Sequence, residues 1–180
     1  MNVKRLVGKA KKGNKEALLQ LIIAQKDDYY RLALTYLGNA HDAMDAMEDM
    51  IVKLYEKIDQ LQKEDAFYSW SKTILVNHCK ALLKKKKKLV LIDDWKMNEN
   101  EGEPSTIDDP YEQTIHQLEL QELLLYLNAH QREAIQLKYF HDFDYETIAR
   151  ITGVPIGTVK SRVSQGLKKM RDHIGGGLDE

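Results

Sequence analysis

The chain is 180 residues long, with 27 Lys and Arg against 28 Asp and Glu, 43% hydrophobic residues, three prolines and a single cysteine. That length fits one ordinary domain or two small ones, and plentiful Leu, Ile, Lys, Glu, Gln and Ala favour helices over sheets. Lone Cys79 excludes an internal disulfide framework and a zinc knuckle; the longest apolar run, Leu18 to Ala24, is broken by Gln20 and is far too short for a bilayer. The start, Met1-Asn2-Val3-Lys4-Arg5, leads into no signal-like apolar segment, so a reduced, cytoplasmic protein without membrane insertion is expected.

The net charge of −1 averages over unlike segments. Residues 1–88 carry 18 basic against 11 acidic side chains, residues 89–118 one lysine against eight acids, and residues 119–180 eight basic against nine acidic. Within the last part, Val154 to Ile174 has five basic residues opposed only by Asp172. Phosphates respond to such local charge more than to the sum.

In chain order, Leu18, Leu19, Leu21, Ile22 and Ile23, then Tyr29, Tyr30, Leu32, Ala33 and Leu37, recur at helical spacing. Gly38-Asn39 reads as a stop followed by a new N-cap. A second segment, His41 to Ile58, has the apolar stripe Ala43, Met47, Met50, Ile51, Leu54 and Ile58, with Asp42, Asp45, Glu48, Asp49 and Lys53 elsewhere. A third, Ala66 to Lys88, repeats Phe67, Trp70, Ile74, Leu75, Cys79, Leu82 and Leu83, and ends in five lysines, Lys84 to Lys88. A lysine run suits a helix C-terminus and alone is usually a solvated face. Residues 89–112 are acidic, polar and aperiodic, which predicts a flexible linker that either acts as a spacer or folds over basic surfaces. Helices resume at about Tyr111–Leu127, Ala129–Phe140, Tyr145–Thr152 and Ile156–Ile174.

The last two predicted helices carry the chemistry. Asp144 is a good N-cap with Glu146 in the first turn, Ile148 and Ala149 face inward, Gly153 turns the chain and Pro155 starts the next helix. Small Ala149, Gly153 and β-branched Val159 have the spacing of a helix-turn-helix. The second helix has an apolar stripe of Ile156, Val159, Val163, Leu167, Met170 and Ile174. Its other face presents Thr158, Lys160, Ser161, Arg162, Ser164, Gln165 and Lys168, the side-chain types that reach bases and phosphates. An ordinary amphipathic helix would share the stripe; turn, spacing and composition together point to DNA reading.

The words around the turn, with Gly157-Thr-Val-Lys-Ser-Arg162 preceded by Leu127 to Leu137, resemble the −35 reading domain of bacterial sigma factors, closest to the extracytoplasmic-function class. Asp42 to Tyr55 is similar to that family's polymerase-binding helix, and Phe67 to Lys84 to its −10 reader, with Trp70 and Asn77 matching the pattern. The resemblance implies an all-α chain of two small helical domains: 1–88 binding core RNA polymerase and the −10 element, and 113–180 binding the −35 element. It implies polymerase contacts at Asp45, Glu48, Asp49 and Lys53, and −10 contacts at Tyr68, Trp70, Lys72, Asn77, Lys80 and Lys84, although Trp70 could equally be core. At −35, Lys160, Ser161, Ser164 and Gln165 are base-edge candidates, with Arg162, Lys168 and Thr158 on phosphate. It also implies an anti-sigma factor as a partner, and a linker whose acids Glu99, Glu101, Glu103, Asp108 and Asp109 mimic nucleic acid.

The chain departs from the family pattern at Met44, Glu48-Asp49, Ser71, Thr73, Ala81 and Asn128, where proline is usual. Thr73 stands where an arginine strand contact is common, a role Lys72 or Lys80 would take over. A helix-turn-helix regulator working without polymerase, with the N-terminal helices dimerising, is the rival reading. An enzyme is not expected: His41, His78, His116, His130, His141 and His173 have no ligand spacing with one another or with Cys79, and Asp27-Asp28, Asp93-Asp94 and Asp108-Asp109 lack a third carboxylate. No metal or cofactor is expected.

Overall fold

A computed structural model describes residues 1–93 and 115–176, and among these every regular element is helical. The chain separates into two compact units, residues 1–108 and 109–180. The linker acids Glu99, Glu101, Glu103, Asp108 and Asp109 lie outside the described residues.

The first unit holds α1 (Val3–Lys11), α2 (Lys15–Ile23), α3 (Lys26–Leu37), α4 (Ala40–Lys57) and α5 (Phe67–Asp93). Three of these helices, α1, α2 and α4, start where an asparagine satisfies a first-turn amide, whereas α3 starts after Gln25 with no side-chain cap. Asn2 accepts from Arg5, Asn14 from Ala17 and Asn39 from Asp42. Gly38, at φ 75°, ends α3 in the left-handed region that a side chain would strain, and its N–H donates to the Leu34 carbonyl at 2.9 Å. The same Gly-Asn pair at Gly13-Asn14, with Gly13 at φ 87°, ends α1 and starts α2, a boundary not anticipated above. The continuous apolar pattern from Leu18 to Leu37 is likewise two helices, parted at Ala24-Gln25.

Helices α3, α4 and α5 pack mutually, and α1 packs on α2. Tyr29, Leu32, Ala43, Ala46, Met50, Leu54, Phe67, Leu75, Val76 and Cys79 are all buried between them. Among the described residues the buried polar pair in this core is Tyr29 Oη and Ser71 Oγ, 2.7 Å apart, and Ser71 also donates to the Tyr68 carbonyl at 3.1 Å. Burial, only partly offset by the Ser71 bond, pushes the Tyr29 phenol well above its ordinary pKa. Ser71 is therefore a paired core residue, which accounts for a hydroxyl at this departure from the family pattern. Helix α5 runs on past the five lysines to Asp93, because Lys is a good helix former and nothing after Lys88 stops the helix.

The second unit holds α6 (Ile115–Leu125), α7 (Ala129–Ile135), α8 (Tyr145–Thr152) and α9 (Ile156–Gly176). The predicted helix Ala129–Phe140 is α7 followed by one wider turn, Gln136–Phe140, in which the His141 amide reaches back to the Gln136 carbonyl. Asn128, in place of proline, caps α7 in a reciprocal box with Gln131: its Oδ1 accepts from the Gln131 amide at 2.9 Å while Gln131 Oε1 accepts from its own. Arg132 reaches back to donate to the Leu124 and Leu127 carbonyls at 2.9 and 3.0 Å, closing the end of α6. Helix α9 crosses α7 at Gly166, where a Cβ would lie 2.5 Å from Ile135 Cδ1. The core comprises Leu124, Leu127, Ala134, Ile135, Leu137, Phe143, Ile148, Ile151, Val159 and Val163.

Candidate nucleic-acid and polymerase interfaces

The helix-turn-helix is α8, the turn at Gly153 and α9. Asp144 caps α8, with Oδ1 accepting from the Thr147 amide at 2.7 Å and Oδ2 from its hydroxyl at 3.1 Å. Burial works to raise the Asp144 carboxyl, but the Thr147 bonds and the Arg150 charge outweigh it and hold the pKa below the usual carboxylate value. Gly153, at φ 69°, donates to the Ala149 carbonyl, and the chain reverses there. Pro155 stands one residue before α9, not inside it, and its carbonyl accepts from Thr158 and Val159 at 2.9 and 3.1 Å. Ile148 is fully buried, whereas Ala149 is half-buried and lines a shallow cleft with Val154, Pro155 and Ile156.

In α9 the expected stripe is shorter than the pattern suggested. Val159 and Val163 are buried, Leu167 and Met170 partly so, and Ile156 and Ile174 are exposed. On the far face Lys160, Ser161, Ser164, Gln165 and Lys168 are exposed, with Thr158 and Arg162 half-buried. Gln165 Nε2 donates to Ser161 Oγ at 3.2 Å, and its Oε1 lies 3.5 Å from Gln131 Nε2, so the amide is oriented before any ligand arrives. Lys160 and Lys138 both approach the Tyr145 ring, at 5.7 and 5.0 Å from its centroid. That arrangement places a second cation beside α9. Sequence reasoning missed it because Lys138 belongs to the wide turn after α7.

In the first unit the −10 candidates lie along α5, and several are already engaged. Trp70 is half-buried with its ring 6.2 Å from that of Phe67, and Tyr68 donates to the Leu21 carbonyl at 3.4 Å. Lys72 reaches Asp28 at 3.6 Å with its side chain only 13% exposed, and Asp28 also accepts from Arg31 at 2.6 Å. Burial works to raise the Asp28 carboxyl, but Arg31 and Lys72 hold it below the usual range. Lys80 lies 5.8 Å from the Tyr36 ring centroid, while Asn77 and Lys84 are exposed. Thr73 donates to the Ser69 carbonyl at 2.6 Å within its own helix.

On α4, Asp45, Glu48 and Asp49 are exposed and Lys53 is half-buried. Met44, Val52 and Tyr55 are exposed on the same helix, adding apolar surface to the acidic face. His41 Nδ1 lies 3.2 Å from Asp45. His78 of α5 meets both Asp49, at 2.8 Å, and Lys53. Among the described residues no group of three His, Cys, Asp or Glu could hold a metal ion, and no helix is long and apolar enough to cross a membrane.

Residues 21–89 match the family described as Sigma-70 region 2, and residues 117–170 match Sigma-70, region 4. The chain is 34% identical to RNA polymerase sigma factor SigV of Bacillus subtilis (strain 168), over 91% of this chain and 94% of that protein. It is 28% identical to the ECF RNA polymerase sigma factor SigW of the same organism, over 97% of each. Among solved structures it is similar to the sigma factor RpoE of Bartonella quintana, co-crystallised with the anti-sigma factor NepR, at a TM-score of 0.67 and 27% identity, covering 89% of this chain and 97% of that one. The two family matches fall on α2–α5 and α6–α9, the same two helix groups that carry the candidate surfaces, and together with the SigV relationship they exclude an enzyme and disfavour a regulator independent of polymerase. The chain belongs to the extracytoplasmic-function class of RNA polymerase sigma factors.

Proposed function

We propose that this sigma factor docks on core RNA polymerase through the acidic and apolar face of α4, reads the −10 element with α5 and reads the −35 element with α9. The observation that carries the −35 assignment is the α9 surface, on which Lys160, Ser161, Ser164, Gln165 and Lys168 are exposed opposite a core of Val159 and Val163. Oriented Gln165 and Ser161 suit base edges, while Lys160, Lys138, Arg162, Lys168 and Thr158 suit phosphates. At −10, the half-buried Trp70 and Tyr68 supply rings on which unpaired bases stack, exposed Asn77 offers an amide, and Lys80 and Lys84 track the backbone beside Lys72.

The functional division is 1–88 for polymerase and −10 binding, 89–112 as linker and 113–180 for −35 binding, with the work done in the cytoplasm. Small modules bind promoter DNA weakly by themselves, and polymerase, by fixing their separation, raises the effective concentration of each for its own element. An anti-sigma factor is the expected antagonist, as NepR is the co-crystallised partner of the related RpoE. Run-off transcription with core polymerase over genomic fragments tests the proposal. Discrete transcripts should appear only when the protein is added and should vanish with charge-reversing substitutions at Asp45, Glu48 and Asp49. Unchanged transcription with those substitutions contradicts the α4 assignment.

A further inference from the structure

His78 follows the exposed Asn77 on α5, yet its ring turns toward α4 and bridges two residues one helical turn apart, Asp49 and Lys53. The chemistry of the partners fixes the proton. An ammonium only donates, so Nδ1, which meets Lys53 Nζ, accepts through its lone pair. The ring proton then sits on Nε2 and is donated to Asp49 Oδ2 at 2.8 Å. The result is a one-way relay from Lys53 through His78 to Asp49. Its pivot is sheltered and its tip is open: the His78 side chain is 12% exposed and that of Asp49 60%. Asp45, by comparison, meets His41 of its own helix, and both of those side chains are well exposed.

We propose that His78 is a positioning residue for polymerase docking, holding the Asp49 carboxylate in one rotamer on the α4 surface while Lys53 holds the imidazole in the tautomer that does so. The inference rests on α4 being the polymerase face. A carboxylate has about four acceptor positions and the relay uses one, so Asp49 remains able to accept from a basic group of the polymerase. Ordering it beforehand removes a conformational cost from binding.

The test is the affinity of the labelled full-length chain for core RNA polymerase, by fluorescence anisotropy, for Asp49→Ala, His78→Leu, His78→Gln and the Asp49→Ala/His78→Leu pair. His78→Leu should weaken binding on the order of two- to tenfold, the scale of leaving one long-reach contact unordered. It should have no further effect once Asp49 is Ala. His78→Gln, which keeps a donor and an acceptor, should recover most of the loss, and simple loss of packing would not be rescued this way. Independently of folding in the variants, ¹⁵N resonances of the unsubstituted protein should show the neutral His78 ring as the Nε2–H tautomer. Wild-type affinity in His78→Leu alongside weakened Asp49→Ala overturns the inference alone, as does a neutral ring that carries its proton on Nδ1. Wild-type affinity in Asp49→Ala overturns the α4 assignment and the inference with it.

Discussion

The buried pair Tyr29–Ser71 makes a quantitative prediction, because its two halves are not equally replaceable. Both side chains are fully buried, with the two oxygens 2.7 Å apart. Ser71→Ala strands the phenol in an apolar core, which costs about 1–3 kcal/mol. Tyr29→Phe removes the same bond but leaves Ser71 donating to the Tyr68 carbonyl at 3.1 Å, so its loss should be about 0.5–1.5 kcal/mol. In the double variant no phenol is left to strand, and the total should fall short of the sum by roughly 1 kcal/mol or more. Urea unfolding followed by Trp70 fluorescence, in a Trp95→Phe background, reads this out, and each kcal/mol should also move the midpoint temperature by about 4–8 °C for a domain of this size. Strict additivity, or a larger loss in Tyr29→Phe than in Ser71→Ala, would refute the reasoning. The pair also sets an alkaline limit. A folded pKa above the unfolded one means stability that is complete below an unfolded phenol value of about 10 and is lost as pH rises from there toward the folded value; Tyr29→Phe should remove that slope.

Other outcomes follow from single contacts. Asp144→Ala deletes two bonds to Thr147 and should destabilise the second unit by about 1 kcal/mol, read from α8 amide resonances in urea. Because the folded Asp144 pKa lies below the unfolded one, that contribution is present above about pH 4 and lost as pH falls through the folded value, so the variant should show a shallower acid transition. Burial pushes the Cys79 thiol up to about 12, so a thiol reagent at pH 8 should label it only as fast as the unit opens; rapid labelling of the native protein would contradict its burial. In holoenzyme–promoter complexes, Lys168→Ala should weaken binding similarly on all sequences and reduce the salt slope by about 1, whereas Gln165→Ala should change base preference within the −35 element.

Much of the fold was legible because its signals are local. Gly38-Asn39, Asp144 and Gly153 act within a few residues of themselves, and each does what its position in the sequence predicts. What was not legible depends on residues distant in sequence or on equivalent helix formers. The lysine run looks like an end in the sequence but is only basic, and α5 continues through it. Gly166 has no special backbone requirement that a pattern would show; its need comes from Ile135 on another helix. The apolar stripe of α9 was overextended to Ile156 and Ile174, because periodicity tells which face is apolar but not where the neighbouring helices stop. The same limit applies to function. The α9 surface could be named from sequence, but that Lys138 shares the Tyr145 ring with Lys160, or that His78 spans Asp49 and Lys53, requires contacts across helices.

The central claim is that two small readers become a promoter-specific binder only when polymerase sets their separation. Quantitative footprinting of a promoter found by run-off transcription, with the protein alone and with core polymerase, tests this most directly. The protein alone should give no sequence-specific protection, and the holoenzyme should protect the −10 and −35 elements jointly. Equally strong and specific protection by the protein alone would contradict the central claim.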